Sequence, residues 1–417
     1  MVRQAHQQQC DDLNSVTEHS RSMPNGDAMS LPNGWETKKL GDVCKTGAGG
    51  TPLKAHKEYY EGGIIPWLLS GEVSQGEIIK SNNFITQKGF DNSSAKLFPS
   101  NTVLVAMYGA TAGQVGILRF EATTNQAVCG IYPNENAVPE FLYYYFLMKK
   151  DELIAQATGN AQPNISQLKI KNTNIPLPPL DEQKRIVAKL DECFEAIDKA
   201  RANVEKNLLN AKELFQSKLN EIFSQKGDGW VEMTLGELGK VSMCKRILKK
   251  QTSPTGDIPF YKIGTFGKTP NAFINNEIYQ EFKQKYSFPN KGDILISASG
   301  TIGRRVVYDG EPAYFQDSNI VWIENNEELI LNEYLYQFYG VCDWNPSKGA
   351  TISRLYNDDL RRIQISFPSI IEQKKLVEIM KDLKSQTQSL ESNYQQELDA
   401  LDELKKSILQ KAFNGEL

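Results

Sequence analysis

The sequence predicts an α+β protein: two pseudo-repeated mixed α/β domains separated by two long antiparallel coiled-coil helices. Three observations carry that reading. Segments of the two halves match at a long, nearly constant offset. Each half holds short β-like runs broken by Gly, Asn and Pro. Two long stretches contain no Gly or Pro, and their apolar residues recur in steps of three and four.

The repeat is read from particular residues. Phe98-Pro99, then Thr102–Ala106, lead into Gly109-Ala110-Thr111-Ala112-Gly113; Phe288-Pro289, then Gly292–Ile296, lead into Gly300-Thr301-Ile302-Gly303. Gln126 with Gln316, Pro178 with Pro368, and Glu182-Gln183-Lys184 with Glu372-Gln373-Lys374 hold the same offset. Upstream it drifts, and Trp35 with Leu40-Gly41 answers Trp230 with Leu235-Gly236. The expected organisation is a polar tail (1–32), a first mixed domain (33–178), a central long helix (179–227), a second mixed domain (228–368) and a C-terminal long helix (369–417).

Within each mixed domain, Thr102–Met107 and Asp293–Ser297 read as strands, and 139–150 and 332–339 as helices. Ile175-Pro176-Leu177-Pro178-Pro179 must be extended, because each proline denies its predecessor the α region. Asp181-Glu182 then place acid where a helix dipole favours it. The predicted helix–helix seam is Ile186, Leu190, Ile197, Val204, Leu208 and Phe215, facing Leu376, Leu383, Leu390, Tyr394, Leu401 and Ile408. A rod of some 60 Å is longer than any single domain needs to cover its core, so the natural partner of each helix is the other.

Composition excludes several classes. Of 417 residues, 24% are charged, and the longest notable apolar run, Phe141–Met148, is far short of the roughly 20 residues that span a bilayer. No membrane association is expected. The six cysteines are scattered without a CxxC pair, which fits a reducing cytoplasm. Three histidines, two of them in the tail, leave little material for a metal site or a His-based triad. Neither a phosphate-loop spacing after Gly49-Gly50, nor Asn/Asp-Pro-Pro-aromatic, nor HExxH is present, and Asp293 and Asp317 have no spacing that favours catalysis. The chain reads as non-catalytic, with no metal.

The formal net charge of −4 does not point to nucleic acid, so contact with it must come from local patches. The best patch is Lys245, Arg246, Lys249 and Lys250, which with Lys240 form a basic run without an acid; a solvated edge reads equally well. Lys54 and Lys57, beside His56, Tyr59 and Tyr60, suit a groove-facing loop, and Arg304 and Arg305 are further candidates or simple ion pairs. Gly49 and Gly50 read as a turn ending at Pro52. Gly109, Thr111 and Gly113, like Gly300, Thr301 and Gly303, read as tight turns that position backbone, with or without a phosphate against them.

Gly49-Gly50-Thr51-Pro52, the Gly109–Gly113 turn, and Ile175-Pro176-Leu177-Pro178-Pro179-Leu180-Asp181-Glu182-Gln183-Lys184-Arg185-Ile186 together resemble the specificity subunit of type I restriction–modification systems. The second half echoes them in Gly300-Thr301-Ile302-Gly303 and in Ile365–Lys375, where Ser366 and Ser369 replace expected prolines and soften the junction. The resemblance covers 33–417. It implies two target recognition domains, each reading one half of a split, asymmetric double-stranded DNA sequence, and helices that set the gap. It also implies two adenine methyltransferase subunits docked on the chain, and translocase–nuclease subunits joined through the complex. S-adenosylmethionine, ATP and Mg belong to those partners, and no cofactor to this chain. The rival reading is a duplicated, non-catalytic coiled-coil scaffold that binds protein.

Overall fold

Val103-Leu104-Val105-Ala106 has no polar residue to turn toward water, and both of its faces are covered. In the computed structural model, which describes residues 32–157, 164–225, 227–345 and 354–417, this run is the strand β6 (Val103–Ala106) at the centre of a sheet. Alternate residues of a strand point to opposite faces. Val103 and Val105 join a core with Phe141 and Phe146 of the helix α1 (Pro139–Met148) and with Ile186 and Leu190 of the long helix α2 (Leu180–Ser224). Leu104 and Ala106 face a second core containing Leu68 and Phe98. A helix layer, a sheet and a smaller sheet therefore stack in that order. Gly130, opposite Leu104 in the sheet, is required by the packing: a Cβ there would lie 2.4 Å from the Phe98 ring.

The described residues divide into two compact units, one reaching to Arg201 and including Asp399–Leu417, the other Ala202–Leu398. In the first unit, β2 (Thr46–Ala48), β9 (Val128–Ile131), β6, β7 (Val115–Leu118) and β4 (Glu77–Ile78) form the main sheet in that order. The small sheet is β5 (Phe84–Ile85), β3 (Ile65–Leu68) and β8 (Thr123–Thr124), and β1 (Glu36–Lys39) pairs antiparallel with β10 (Asn174–Leu177).

The second unit repeats the plan. Its main sheet runs β12 (Lys240–Ser242), β18 (Ile320–Glu324), β15 (Ile294–Ser297), β16 (Arg305–Val307); its small sheet runs β14 (Phe273–Ile274), β13 (Ile258–Tyr261), β17 (Tyr314–Phe315). β11 (Val231–Thr234) pairs antiparallel with β19 (Gln364–Phe367). In both small sheets the middle strand has one antiparallel and one parallel neighbour. Ile294 and Ile296 face Tyr334 and Leu335 of the helix α3 (Asn332–Phe338) and Val377 and Met380 of the long helix α4 (Ile370–Asn414). β4 has no counterpart among the described strands of this unit.

Backbone pairing refines the repeat. Asn125 N bonds Leu68 O and Gln316 N bonds Tyr261 O, both at 2.9 Å, so Gln316 stands where Asn125 does and not where Gln126 does. The second unit carries one extra residue before β18, since Val128 N bonds Asn125 O three positions back and Ile320 N bonds Gln316 O four positions back, so the offset between the halves widens again there.

Each long helix starts on a buried glutamine. Gln183 accepts from Val138 N (2.9 Å) and donates to Asn136 O (3.1 Å) and Pro178 O (2.9 Å). Gln373 accepts from Leu331 N (2.9 Å) and donates to Leu329 O (2.9 Å) and Pro368 O (2.8 Å). Both side chains are 0% exposed. The softening expected from Ser366 and Ser369 is corrected: Ser366 keeps the β11–β19 pairing, and the Ser369 hydroxyl lies 3.4 Å from Glu372 N as a helix cap.

The helices run antiparallel in the first unit, where Arg185 Nη2 donates to Leu417 O (2.6 Å), Lys405 pairs with Asp198 (2.5 Å), and Arg201 pairs with Asp402. Ile186, Leu190 and Ile197 are buried there, with Leu401 and Ile408 half-buried. In the second unit Phe215, Leu219 and Ile222 pack in the core that holds Leu376, Val377 and Met380. Val204, Leu208, Leu383 and Tyr394 are half-buried. Leu390 departs from the seam: it is 39% exposed, and the buried position one turn earlier belongs to Thr387, whose hydroxyl donates to Leu383 O (3.0 Å). Hydroxyl back-bonding satisfies the polar group, so periodicity of apolar residues missed it. The expected separation of heads from rods is also revised, since each half of each helix completes a unit with a head. All of 1–32 except its last residue lies outside the described residues.

Gln183→Ala should destabilise the first unit by on the order of 3 kcal/mol, because it empties a fully buried site and takes the partner from the buried Pro178 carbonyl and from two half-covered groups, Val138 N–H and the Asn136 carbonyl. Gln183→Glu should do no better, since a carboxylate cannot donate to Asn136 O and Pro178 O. An unchanged thermal midpoint in either variant would contradict this role.

Candidate nucleic-acid interface

The glycines of the first loop are there for close packing. Gly50 N bonds Thr124 O (2.9 Å), and a Cβ on Gly49 would lie 2.1 Å from Thr124 Oγ1, one on Gly50 2.3 Å from Ala95 N. Trp67 Nε1 donates to Gly50 O (3.0 Å), and Tyr60 to Pro52 O. The pinned loop then projects Lys54 and Lys57 into solvent, with the His56 ring stacked on buried Tyr59 at 4.8 Å.

The two glycine turns are equivalent. Gly109 and Gly113 have φ of 69° and 77°, and Gly300 and Gly303 have 68° and 80°, values that side chains rarely adopt. Gly303 also has no room, as a Cβ would lie 2.2 Å from Trp344 Nε1. The Thr111 hydroxyl donates to Tyr108 O (3.2 Å), whereas Thr301 is exposed and offers its carbonyl to Ser297 Oγ (2.5 Å).

Arg304 and Arg305 are not free surface cations. Arg304 Nη1 donates to Phe266 O (3.0 Å), while the Arg305 guanidinium lies 4.5 Å over the Tyr336 ring and against Gly340, its Nε buried without a partner. Both are half-buried, at the start of the edge strand β16 just after the turn ending at Gly303. Both candidates are thus engaged by protein groups of their own unit.

Lys245, Arg246, Lys249 and Lys250 are all exposed, but they differ in engagement. Lys245 lies 4.9 Å over the Tyr286 ring and Arg246 Nε donates to Asp317 Oδ2 (2.9 Å). Lys249 and Lys250, on one short turn, have no acidic partner among the described residues. A groove of about 310 Å³ opens beside them, lined by Arg246, Lys249, Lys262, Gln316, Asp317 and Arg354. Lys262 and Arg354 were not found from the sequence. Each is a lone basic residue, brought in by β13 and by the Ser299–Arg354 bridge next to the second glycine turn.

Chemistry-bearing groups elsewhere are structural. Burial pushes the thiols of Cys129, Cys244 and Cys342 up to about 12, and the described cysteines are unpaired. Asp293 accepts from Asn290 N (2.7 Å) in a buried turn, and desolvation holds its carboxyl above the usual range. Among the described residues no three His, Cys, Asp or Glu side chains gather as metal ligands, and no helix is long and apolar enough to cross a membrane.

The model of the type I restriction modification DNA specificity domain matches residues 32–206 and 227–400. A Haemophilus influenzae protein assigned as a type I restriction enzyme specificity subunit is 47% identical over 60% of this chain, which spans 65% of that relative. The MjaIX type I specificity subunit of Methanocaldococcus jannaschii is 26% identical over 94% of this chain and 95% of its own length. Among solved structures, a chain from a study of complex assembly in the type I R-M system is 24% identical over 93% of this chain and 100% of its own, with a TM-score of 0.74. The HsdS subunit from Thermoanaerobacter tengcongensis is 22% identical over 94% and 99%, with a TM-score of 0.58. Both share the fold.

Two outcomes follow from these placements. Lys249→Ala with Lys250→Ala should lower DNA affinity and reduce the steepness of its salt dependence by about two units, with little change in sequence preference; an unaltered slope in a salt titration would remove both lysines from the interface. Asp293→Asn should be more stable than the parent near neutral pH. A carboxyl whose folded pKa is raised loses stability as pH rises through that value, so the advantage should vanish below the ordinary carboxylate range, near pH ~4. Thermal melts across pH would test this, and a pH-independent difference would contradict it.

Proposed function

The chain belongs to the type I restriction modification DNA specificity family, and from that premise we propose that it is the sequence-reading subunit of a type I restriction–modification complex. The observation that carries the reading is the double match: the family model falls once on each structural repeat, and each repeat includes a head and the start of a long helix. Each head reads one half of a bipartite, asymmetric double-stranded DNA target. The solved relative named for complex assembly of a type I R-M system supports a role as the organising subunit.

The scaffold alternative is not favoured, because it gives no reason for two specificity domains. In the proposed complex, two adenine methyltransferase subunits dock on this chain and translocase–nuclease subunits join through them. S-adenosylmethionine, ATP and Mg serve those partners. The complex works in the cytoplasm, where bacterial and archaeal DNA lies.

The mixed heads bring almost balanced charge, so this chain supplies orientation and base contacts while partner subunits carry much of the phosphate neutralisation. Polar groups on strand ends and short turns, held by rigid sheets, suit readout in the major groove.

Modified-base sequencing of DNA from cells expressing the chain with its methyltransferase partner should reveal a new methyladenine motif in two unequal halves with a fixed gap. A folded, copurifying pair that adds no motif would count against the reading. Deleting one facing heptad from each of 181–226 and 371–414 removes about 10 Å of rod and should shorten the gap by roughly three base pairs, leaving the half-sites intact. An unchanged gap would end the ruler idea.

A further inference from the structure

Both units hold a side-chain pair at the same place, with different chemistry. In the first, the Thr51 hydroxyl donates to Gln126 Oε1. In the second, Arg246 Nε donates to Asp317 Oδ2 at 2.9 Å. The equivalence is a backbone one. Asn125 and Gln316 make matching bonds to the middle strand of the small sheet, and Gln126 and Asp317 each follow next in the chain. Thr51 and Arg246 keep the chain offset that relates Leu40-Gly41 to Leu235-Gly236. A constant frame therefore presents an uncharged pair in one repeat and an ion pair in the other.

The geometry of the ion pair decides what it can touch. The Arg246 side chain is 68% exposed and that of Asp317 is 15% exposed, so the carboxylate is the buttress and the guanidinium the probe. Only Nε is engaged; Nη1 and Nη2 have no partner among the described residues. A guanidinium neutralised by a carboxylate is a weak phosphate clamp. Held through Nε, however, it keeps its two terminal donors parallel and end-on, the arrangement that matches O6 and N7 of guanine. Lys249, with no acid beside it, is the phosphate-type cation of the same groove, and Lys250 follows it on the exposed turn. The groove floor adds Gln316, whose Oε1 is fixed by Ile263 N (2.9 Å).

We propose that Arg246, oriented by Asp317, reads a guanine in the half-site contacted by the second unit, and that Thr51 and Gln126 occupy the corresponding reading position of the first unit. This rests on the proposal that the units contact DNA. Arg246 selects the base, and Asp317 acts as a positioning residue.

The test is the methylation motif of the assembled complex, compared position by position for the parent, Arg246→Gln, Arg246→Lys, Asp317→Asn and Lys249→Ala. Arg246→Gln should cut the preference for guanine at a single position by roughly ten- to a hundred-fold, in one half-site only. Asp317→Asn should weaken the same position less. Lys249→Ala should lower methylation evenly at all positions. The untouched other half-site reports that the variant is folded. If Arg246→Gln abolishes methylation, Arg246→Lys decides: relaxation at one guanine supports the assignment, and an intact motif overturns it. An unchanged motif in Arg246→Gln, or an equal loss across both half-sites, also overturns it. A parent complex with no bipartite motif fails earlier, and brings down the functional reading together with this one.

Discussion

The architecture depends on one buried primary amide in each half. An extended, proline-containing strand must hand over to a long helix beside the loop that precedes the short helix, and an N–H and a carbonyl of that loop meet the carbonyl of Pro178 or Pro368 there. Gln183 and Gln373 resolve this with the same three bonds, one accepted and two donated. Only a side chain that is both donor and acceptor, uncharged and of this length, can tie the strand end, the loop before the short helix and the first turn of the rod together. Each joint ties the start of its own rod to the strand and loop of its own unit.

The rods were legible because their signal is local: apolar steps of three and four, acid in the first turn, and no helix breaker over 45 residues. The strands at Val103–Ala106 and Ile294–Ser297 and the glycine turns were legible for the same reason. What escaped was set by distant partners. Periodicity alone offers Leu390 to the seam, but a hydroxyl that bonds its own helix backbone lets Thr387 take the buried place. The division into heads and rods missed that Leu409, Ala412 and Phe413 complete the core of the first head.

The candidate interface shows the limit more sharply. Arg246 stood out because five basic residues crowd one short segment, yet its partner Asp317 is 71 positions away and its role depends on that partner. Arg304 and Arg305 carried the same local signal and face inward, one on a carbonyl and the other on an aromatic ring. Composition reports how many cations a segment has; only the fold reports which of them still have donors to spend.

Phe413 packs edge-on against Phe141 and Tyr145, each ring 5.0 Å from its own, so the core of the first unit closes with residues that the ribosome adds only after the whole of 202–398. The second unit, one continuous stretch, can complete itself during synthesis; the first must wait with an apolar face uncovered. Nascent chains are therefore most exposed to aggregation and proteolysis in that interval, and a premature stop anywhere before Leu409 leaves the earliest-made head permanently open. Quality control of the product is thus written into the order in which the chain is made.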